Sequence, residues 1–471
     1  MTIFPRLHAP LLAPVVSLSV GIAVGGVGLS AWLLVAALAV VVGLTLPRWR
    51  WPLAQCLGVL LSFLLLGQLL SLRIRPAVAD GVWTDAVVFS EPSARPRSVA
   101  VTLLLPVSGE ERRCYLRAAG DGRSLAVGQS LVVRLRDGRF AGAADWHAGG
   151  GGLARLSLWQ RVRLRALLWR HDLLLRYHRL GGSSDVQAVV SAMALGDKSL
   201  LSGGLRQTYA STGASHVLAL SGLHLSIIYL LLSRLTLGRR RWPLFQVLLL
   251  SAVWAFALLT GLSPSVVRAA VMLTVYALFF LGGRRSSPVG VLAFAALLML
   301  MVSPRSLFDV GFQLSFAAML GIFLFGSLFR SAVSARWLCS HRAAAWVYEL
   351  TVTSLSAQVA TAPLVAYYFG QLPVWFLLTN LFVIPLATAV LTVAVVVMVL
   401  PSLGGVLLWL VGLMNSVVDT FSRLPFATVS GLHPSALQVA LCYALLLILY
   451  ALLAFRQGQR GRLPRRPVPF C

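Results

Sequence analysis

The sequence predicts a polytopic α-helical membrane protein of about 12 spans that carries a small extracytoplasmic β domain, and three observations predict it. Of its 471 residues, 58% are hydrophobic and only 11% charged, against about 45–50% and about 25% in soluble proteins. Apolar stretches of about 20 residues, enough to cross ~30 Å of hydrocarbon, occur three times before residue 75 and about nine times after residue 210. Between the two groups, residues 76–150 hold eight of the fourteen acids and alternate apolar with polar side chains as half-buried strands do. A soluble nucleic-acid-binding domain is excluded by this hydropathy. The net charge of +26 does not rescue it, and nearly all of that charge is guanidinium, because Lys198 is the only lysine.

Residues 1–75 are expected to hold three N-terminal transmembrane helices, near 11–27, 29–46 and 52–72. The first runs straight into the second without a small-residue cleavage site, so it reads as a retained span. Segment 76–150 has turn signals at Asp121-Gly122 and Asp137-Gly138 and the alternating run Ser98-Val99-Ala100-Val101-Thr102-Leu103, which predicts strands joined by tight turns. Its Trp83, Phe89, Tyr115, Phe140 and Trp146 serve either as core or as stacking surfaces for bases. Nine arginines against eight acids leave the segment at +1, a weak electrostatic trap for a polyanion.

Residues 151–210 connect this domain to the main bundle. From Leu153 to Leu180, Trp159, Val162, Ala166, Trp169 and Leu173 recur at helical spacing, while Arg161, Arg165, Arg176 and Arg179 take another face. Such a helix belongs at a membrane surface, or it covers the β domain or the bundle. The bundle, 211–456, has spans near 215–233, 243–262, 264–283, 287–303, 307–328, 347–369, 373–400, 403–421 and 436–455, and an Arg-rich tail follows at 457–471. Arg48 and Arg50, Arg234 to Arg241, Arg284 and Arg285, Arg330 to Arg342 and Arg456 to Arg466 fall on every second side of this count. The positive-inside rule then places those loops and both termini in the cytoplasm and the β domain outside, with Arg73 and Arg75 as the exception.

After residue 186 the only acids are Asp197, Asp309, Glu349 and Asp419. A charge near the bilayer centre costs ~2.5–3.5 kcal/mol on the lenient insertion scale, so each must face protein or water. Four polar clusters follow from that. Ala194-Leu195-Gly196-Asp197-Lys198 leads to Ser215-His216-Val217-Leu218-Ala219-Leu220-Ser221-Gly222-Leu223-His224, where glycines loosen the helix and His216, Ser221 and His224 need partners. Gly261-Leu262-Ser263-Pro264-Ser265-Val266-Val267-Arg268 opens a span with Ser265 and Arg268 on one face. Phe308-Asp309-Val310-Gly311-Phe312-Gln313 stacks Asp309 and Gln313 four apart, and Ser354, Gln358 and Thr361 share one side of a later helix. The spans starting near 215, 264 and 307 enter from the same side, so His216, Arg268 and Asp309 are expected at similar depth, at the mouth of a polar path. A buried Arg268–Asp309 pair that fixes packing, and histidines that bond neighbouring helices, are the plainer readings.

No cofactor is expected. The five cysteines never form C-x-x-C, no histidine lies in an H-x-H-x-D-H cluster, and there is no G-x-x-x-x-G-K-[ST] phosphate loop.

The A-L-G-D-K segment, S-H-V-L-A-L-S-G-L-H, G-L-S-P-S-V-V-R-A-A and F-D-V-G-F-Q-L-S-F resemble the competence domain of ComEC-type DNA-uptake proteins. The order of parts, with leading spans, an external OB-like domain and then the bundle, is similar over about 50–400. The resemblance implies an inner-membrane channel, not an enzyme, that passes single-stranded DNA into the cytoplasm during natural transformation. It implies His216, Ser221, His224, Arg268, Asp309, Gln313 and Gln358 along the DNA path, with Asp197 and Lys198 as outer-face support. The partners are then single-stranded DNA, membrane lipid, a cytoplasmic ATP-driven motor and DNA-processing proteins. Many family members carry a metallo-β-lactamase-like domain that this sequence lacks, so strand degradation would fall to a separate nuclease.

Two rivals come from other classes. A small-solute or lipid transporter also uses broken helices with polar midplane residues, although it gives no role to an external β domain. An intramembrane hydrolase would draw on Ser221, His224 and Asp309. Ala219 stands where a G-x-S-G motif needs glycine.

Overall fold

The computed structural model describes residues 11–24, 52–71, 82–94, 98–117, 125–134, 143–235, 243–281 and 287–460. The expected span at 29–46, Asp121-Gly122, Asp137-Gly138, Phe140, several arginine loops and the end of the tail lie outside these residues.

Leu12–Val24 (α1) and Pro52–Ser71 (α2) cross with their backbones touching. A Cβ on Gly21 would collide with the Leu64 carbonyl, and one on Gly67 with the Leu18 carbonyl. Apolar helices gain little from hydrophobic burial in lipid, so close packing at small residues is what holds such a pair. Leu18, Ile22 and Leu70 then pack against Leu297 and Leu300 of a later helix, which joins the N-terminal pair to the bundle.

The alternating segment forms six strands: Trp83–Val88 (β1), Ser93–Ala94 (β2), Ser98–Leu104 (β3), Glu111–Arg117 (β4), Ser130–Arg134 (β5) and Ala143–Ala148 (β6). Their order is β1-β5-β6-β4-β3-β2, and β1 also pairs with β3, so the five longer strands close into a barrel. All pairings are antiparallel except β4 with β6. Alternate residues fill the interior: Ala86, Val88, Val101, Leu103, Leu116, Leu131. Cys114 is also inside, and burial pushes its thiol up to about 11, with Arg112 opposing. Of the segment's aromatics, Phe89 is buried and Trp146 packs on the core, whereas Trp83 is exposed and stacked on His147, with ring centroids 5.1 Å apart.

Leu158–His178 (α3) starts with a capping box: the Gln160 amide N–H donates to Ser157 Oγ, and the Ser157 N–H donates to Gln160 Oε1. The covering reading of this helix holds for both the β domain and the bundle. Leu164 and Leu167 cover the barrel at Val87, Phe89 and Leu104, and Arg163 lies 5.7 Å from the Phe89 ring and 2.5 Å from Glu111. Farther along, Leu174 and Tyr177 enter the bundle core. The opposite stripe, with Trp159, Arg161, Arg165, Trp169, Arg176 and Arg179, stays exposed.

Ser184–Leu195 (α4), Gly203–Ser211 (α5) and Ser215–Leu218 (α6) follow, then Gly222–Leu235 (α7), Pro243–Leu259 (α8), Pro264–Leu281 (α9) and Pro288–Val302 (α10). A 3-10 turn, Pro304–Phe308, precedes Val310–Arg330 (α11), Ala335–Ser340 (α12) and Arg342–Phe369 (α13). The chain ends with Gln371–Pro373 (β7), Phe376–Val397 (α14), Gly404–Ser422 (α15), Thr428–Ser430 (β8, paired with β7) and Ala436–Arg460 (α16). Among the described residues, Val310–Arg330, Phe376–Val397, Pro401–Ser422 and Ala436–Gln457 are long and apolar enough to cross a membrane, and several shorter apolar helices accompany them. The chain is a membrane protein built on helices, and its described residues include a small six-stranded sheet unit and the short β7–β8 pair.

Helices α11 and α13 cross at a glycine: a Cβ on Gly321 would strike Ala360 Cβ and the Ser356 carbonyl. Replacing Gly321 with valine is expected to destabilise the protein by about 1–3 kcal/mol, read as a lower unfolding temperature in detergent. Gly405→Ala, in open space on α15, leaves that temperature unchanged or slightly higher.

Candidate functional site

Helix α9 begins after a tight reversal. Gly261 (φ +79°) and Leu262 (φ +54°) both sit in the left-handed region, and the Leu262 N–H donates to the Ala257 carbonyl at 2.8 Å. Leucine is rarely found there. The reversal lays α8 and α9 side by side and buries Arg268, one turn into α9, at 5% exposure. Its Nη1 is 3.5 Å from Asp309 Oδ1. Asp309 caps α11, accepting from the Phe312 N–H at 2.7 Å, and its side chain is 47% exposed. A Cβ on Gly311 would lie 3.0 Å from that carboxylate and 3.3 Å from Arg268 Nη2, so glycine makes room for the guanidinium against the helix start. Arg268 Nε is buried and has no partner. The pair therefore has one dry end and one wet end.

The motif around Ser221 is a helix start of a different kind. Chain at Ala219 is extended after α6, and α7 opens at Gly222. His224 Nδ1 accepts from the Ser221 N–H at 3.3 Å and lies 3.0 Å from Ser221 Oγ. The side chain three residues into the helix thus satisfies a free amide at its start, as glutamate does in a capping box. An accepting Nδ1 puts the ring proton on Nε2, and that atom is buried without a partner in a residue only 1% exposed. His216 is exposed, and its Nδ1 lies 3.0 Å from the Gly213 carbonyl.

The three helix starts do gather. Gly222 faces the Ala269 methyl, the residue next to Arg268, and Arg268 packs over Gly311 at the start of α11. Gln313 is held at both ends: its amide donates to the Leu307 carbonyl at 2.9 Å and its oxygen accepts from the Tyr368 hydroxyl at 2.7 Å. It ties α11 to α13. Gln358 is half-buried, and its side chain makes no hydrogen bond with the described residues. It lies on the helix that crosses at Gly321 and is not part of the Arg268 cluster. On α14, Asn380 is buried with Oδ1 unpartnered.

Asp197 and Lys198 belong to a second centre. Gly196, at φ +74°, ends α4 against Leu220. Asp197 then accepts from the Ser199 N–H at 3.2 Å and hydroxyl at 2.6 Å and faces Arg170 Nη2 at 3.6 Å. Both charged side chains are nearly dry, at 10% and 9% exposure. Burial pushes the Arg170 guanidinium below its ordinary range, while Asp197 and Glu91 counteract. Glu91, just beyond β1, also meets His171 at 3.0 Å, and Ser93 Oγ donates to the Ser199 carbonyl at 3.2 Å. Lys198 contributes its carbonyl, which accepts from Arg206 at 2.6 Å, while its side chain is exposed. Arg170 was not singled out by the sequence. Its signal is an arginine in register with buried Leu167, Leu174 and Tyr177.

Comparison with known proteins gives a consistent result. The family model for competence proteins matches residues 193–456. The chain is 30% identical to ComE operon protein 3 of Bacillus subtilis (strain 168), over 43% of this chain and 25% of that protein. It is 28% identical to Competence protein ComA of Neisseria gonorrhoeae, over 45% and 30%, and 31% identical to an uncharacterized protein of Aquifex aeolicus (strain VF5), over 46% and 52%. It thus spans a quarter to about half the length of these curated relatives. No solved structure matches it.

Removing one partner of a buried pair strands the other charge. Asp197→Ala is expected to cost about 3–5 kcal/mol, measured by unfolding in detergent. Asp309→Ala costs more than the lost helix cap alone, about 1 kcal/mol, because it also strands the buried Arg268 guanidinium.

Proposed function

The chain belongs to the competence protein family, and from that premise we propose that it is a channel in the bacterial cytoplasmic membrane that passes single-stranded DNA inward during natural transformation. The observation that carries this reading is the Arg268–Asp309 pair at the gathered starts of α7, α9 and α11, where a buried cation opens to solvent through a half-exposed carboxylate. A path for a polyanion needs cations, but many tight phosphate contacts would hold the strand in place. One guanidinium with a spare donor, set among helix starts with small residues at Gly222, Ala269 and Gly311, suits passage. Gln313 helps by bracing the helices, and Gln358 is a second half-exposed contact deeper in the bundle.

The barrel's closure, with one parallel pairing between β4 and β6, agrees with an OB-like domain. In this reading it lies outside the membrane, both termini are cytoplasmic, and the divisions near 75, 150, 210 and 456 separate the working parts. The strand is pulled by a cytoplasmic ATP-driven motor. The chain itself does no chemistry. Ser221 and His224 cap a helix, and Nδ1 is shared with a backbone amide, so it is not a base reserved for the hydroxyl.

Deleting the gene is expected to abolish transformation while surface binding of double-stranded DNA persists; normal transformant numbers in the deletion strain would overturn the proposal. Arg268→Ala should lower DNA uptake by more than tenfold, as a loss of about 1.4 kcal/mol or more would, at unchanged protein level. Arg305→Ala, in the exposed turn before α11, should lower it less. Ser221→Ala should keep most uptake, because the Ser221 N–H still serves His224.

A further inference from the structure

The alternating count makes α14 and α15 two complete crossings, so the turn between them, residues 398–403, falls on the side opposite the barrel. The contacts of that turn are incompatible with this. The Tyr177 hydroxyl donates to the Ala394 carbonyl at 2.8 Å, near the end of α14. A Cβ on Gly404, the first residue of α15, would lie 2.6 Å from Leu180. A Cβ on Gly182 would lie 3.2 Å from Leu408, and Leu173, Arg176 and Arg179 share a cavity with Val397, Met398 and Pro401. The turn is therefore seated on the tip of the α3–α4 hairpin.

That tip is close to the barrel. His171 bonds Glu91, just past strand β1, and a barrel with its loops does not enter hydrocarbon. From His171 to Leu180 the helix advances about 14 Å at 1.5 Å per residue, less than half of the ~30 Å hydrocarbon thickness. Even a hairpin pointing straight down would leave the turn in the near leaflet. Arg165, Arg176 and Arg179 are exposed along α3 and form no ion pair among the described residues. Each would cost ~2.5–3.5 kcal/mol deep in lipid, which keeps the tip shallower still. The other end of α14 returns to the same connecting segment: a Cβ on Gly213 would lie 2.9 Å from Phe376 Cβ. Charge agrees as well. Val397-Met398-Val399-Leu400-Pro401-Ser402-Leu403 has no arginine or lysine, unlike each of the other turns assigned to the cytoplasm.

We propose that Phe376–Val397 and Gly404–Ser422 form a helical hairpin that enters and leaves the membrane on the barrel side and does not cross it. Two crossings are lost together, so every arginine-bearing loop keeps its side. Thr379 and Asn380 of α14 then stand on the barrel side, near the helix starts. The argument uses only sidedness and holds whatever passes through the bundle.

The test is thiol labelling of the full chain with its five cysteines replaced by serine. Single cysteines are placed at Ser402, at Arg176 on the hairpin tip, at Ser108 in a barrel turn and at Ser334 in the loop after α11. A charged, membrane-impermeant maleimide is applied to spheroplasts and to inverted vesicles. Ser402→Cys and Arg176→Cys are expected to label in the same preparation as Ser108→Cys, and Ser334→Cys in the other. Labelling of Ser402→Cys together with Ser334→Cys, or from neither face, overturns the proposal. Loss of DNA transport in any variant does not bear on it.

Discussion

One dry cation, Arg170, fixes how the parts of this molecule meet. Arg170 lies between the barrel, the helix that leaves it and the end of α4, meeting Asp197 directly and Glu91 through the field they share. A guanidinium without water is tolerable only where its counter-charges are fixed, so the three stretches of chain that supply them must arrive together. The direction of α3 follows from that meeting, and so does the seat of the barrel on the bundle. With α3 aimed, Tyr177 and Leu180 have only one place to go, and the turn after α14 is caught there.

The second cluster obeys the same rule with a different outcome. Arg268 is as deeply buried as Arg170, yet its partner Asp309 is half in water. The difference lies in what surrounds the acid: Asp197 is wrapped by Ser199, whereas Asp309 caps the start of α11 with its carboxylate 47% exposed. One centre is sealed and structural, and the other has an open side. Polar residues that looked equivalent in the sequence therefore separate into those that fasten helices, such as Gln313, and those with unspent hydrogen-bonding capacity, such as Arg268 and Asn380.

Much of this was legible beforehand. Alternation in 98–103 gave a strand with Val101 and Leu103 inside, and the apolar period gave the helices. The nearness of Arg268 to Asp309 followed from counting which spans start on one side. Arg170 was hidden because helical spacing tells which face a residue occupies, not which acid from another element will meet it. The anchoring of Gln313 was hidden for a related reason: its partner Tyr368 comes from a separate helix and leaves no local trace. The pair α14–α15 is apolar and long enough to span. Length and hydropathy are blind to where a turn is tethered, and only Tyr177 and Gly404 reveal it.

The barrel's strands β1, β3, β4, β5 and β6 each have a neighbour on both sides. The β1–β3 and β4–β6 seams are short, two residue pairs each, so closure leaves an incoming polypeptide only short stretches of main chain on which to dock as an extra strand. A partner of this domain then has side chains and loop tips to grip, such as the uncovered Trp83–His147 stack. Self-association through open sheet borders, a common hazard for small β units, is limited by the same geometry.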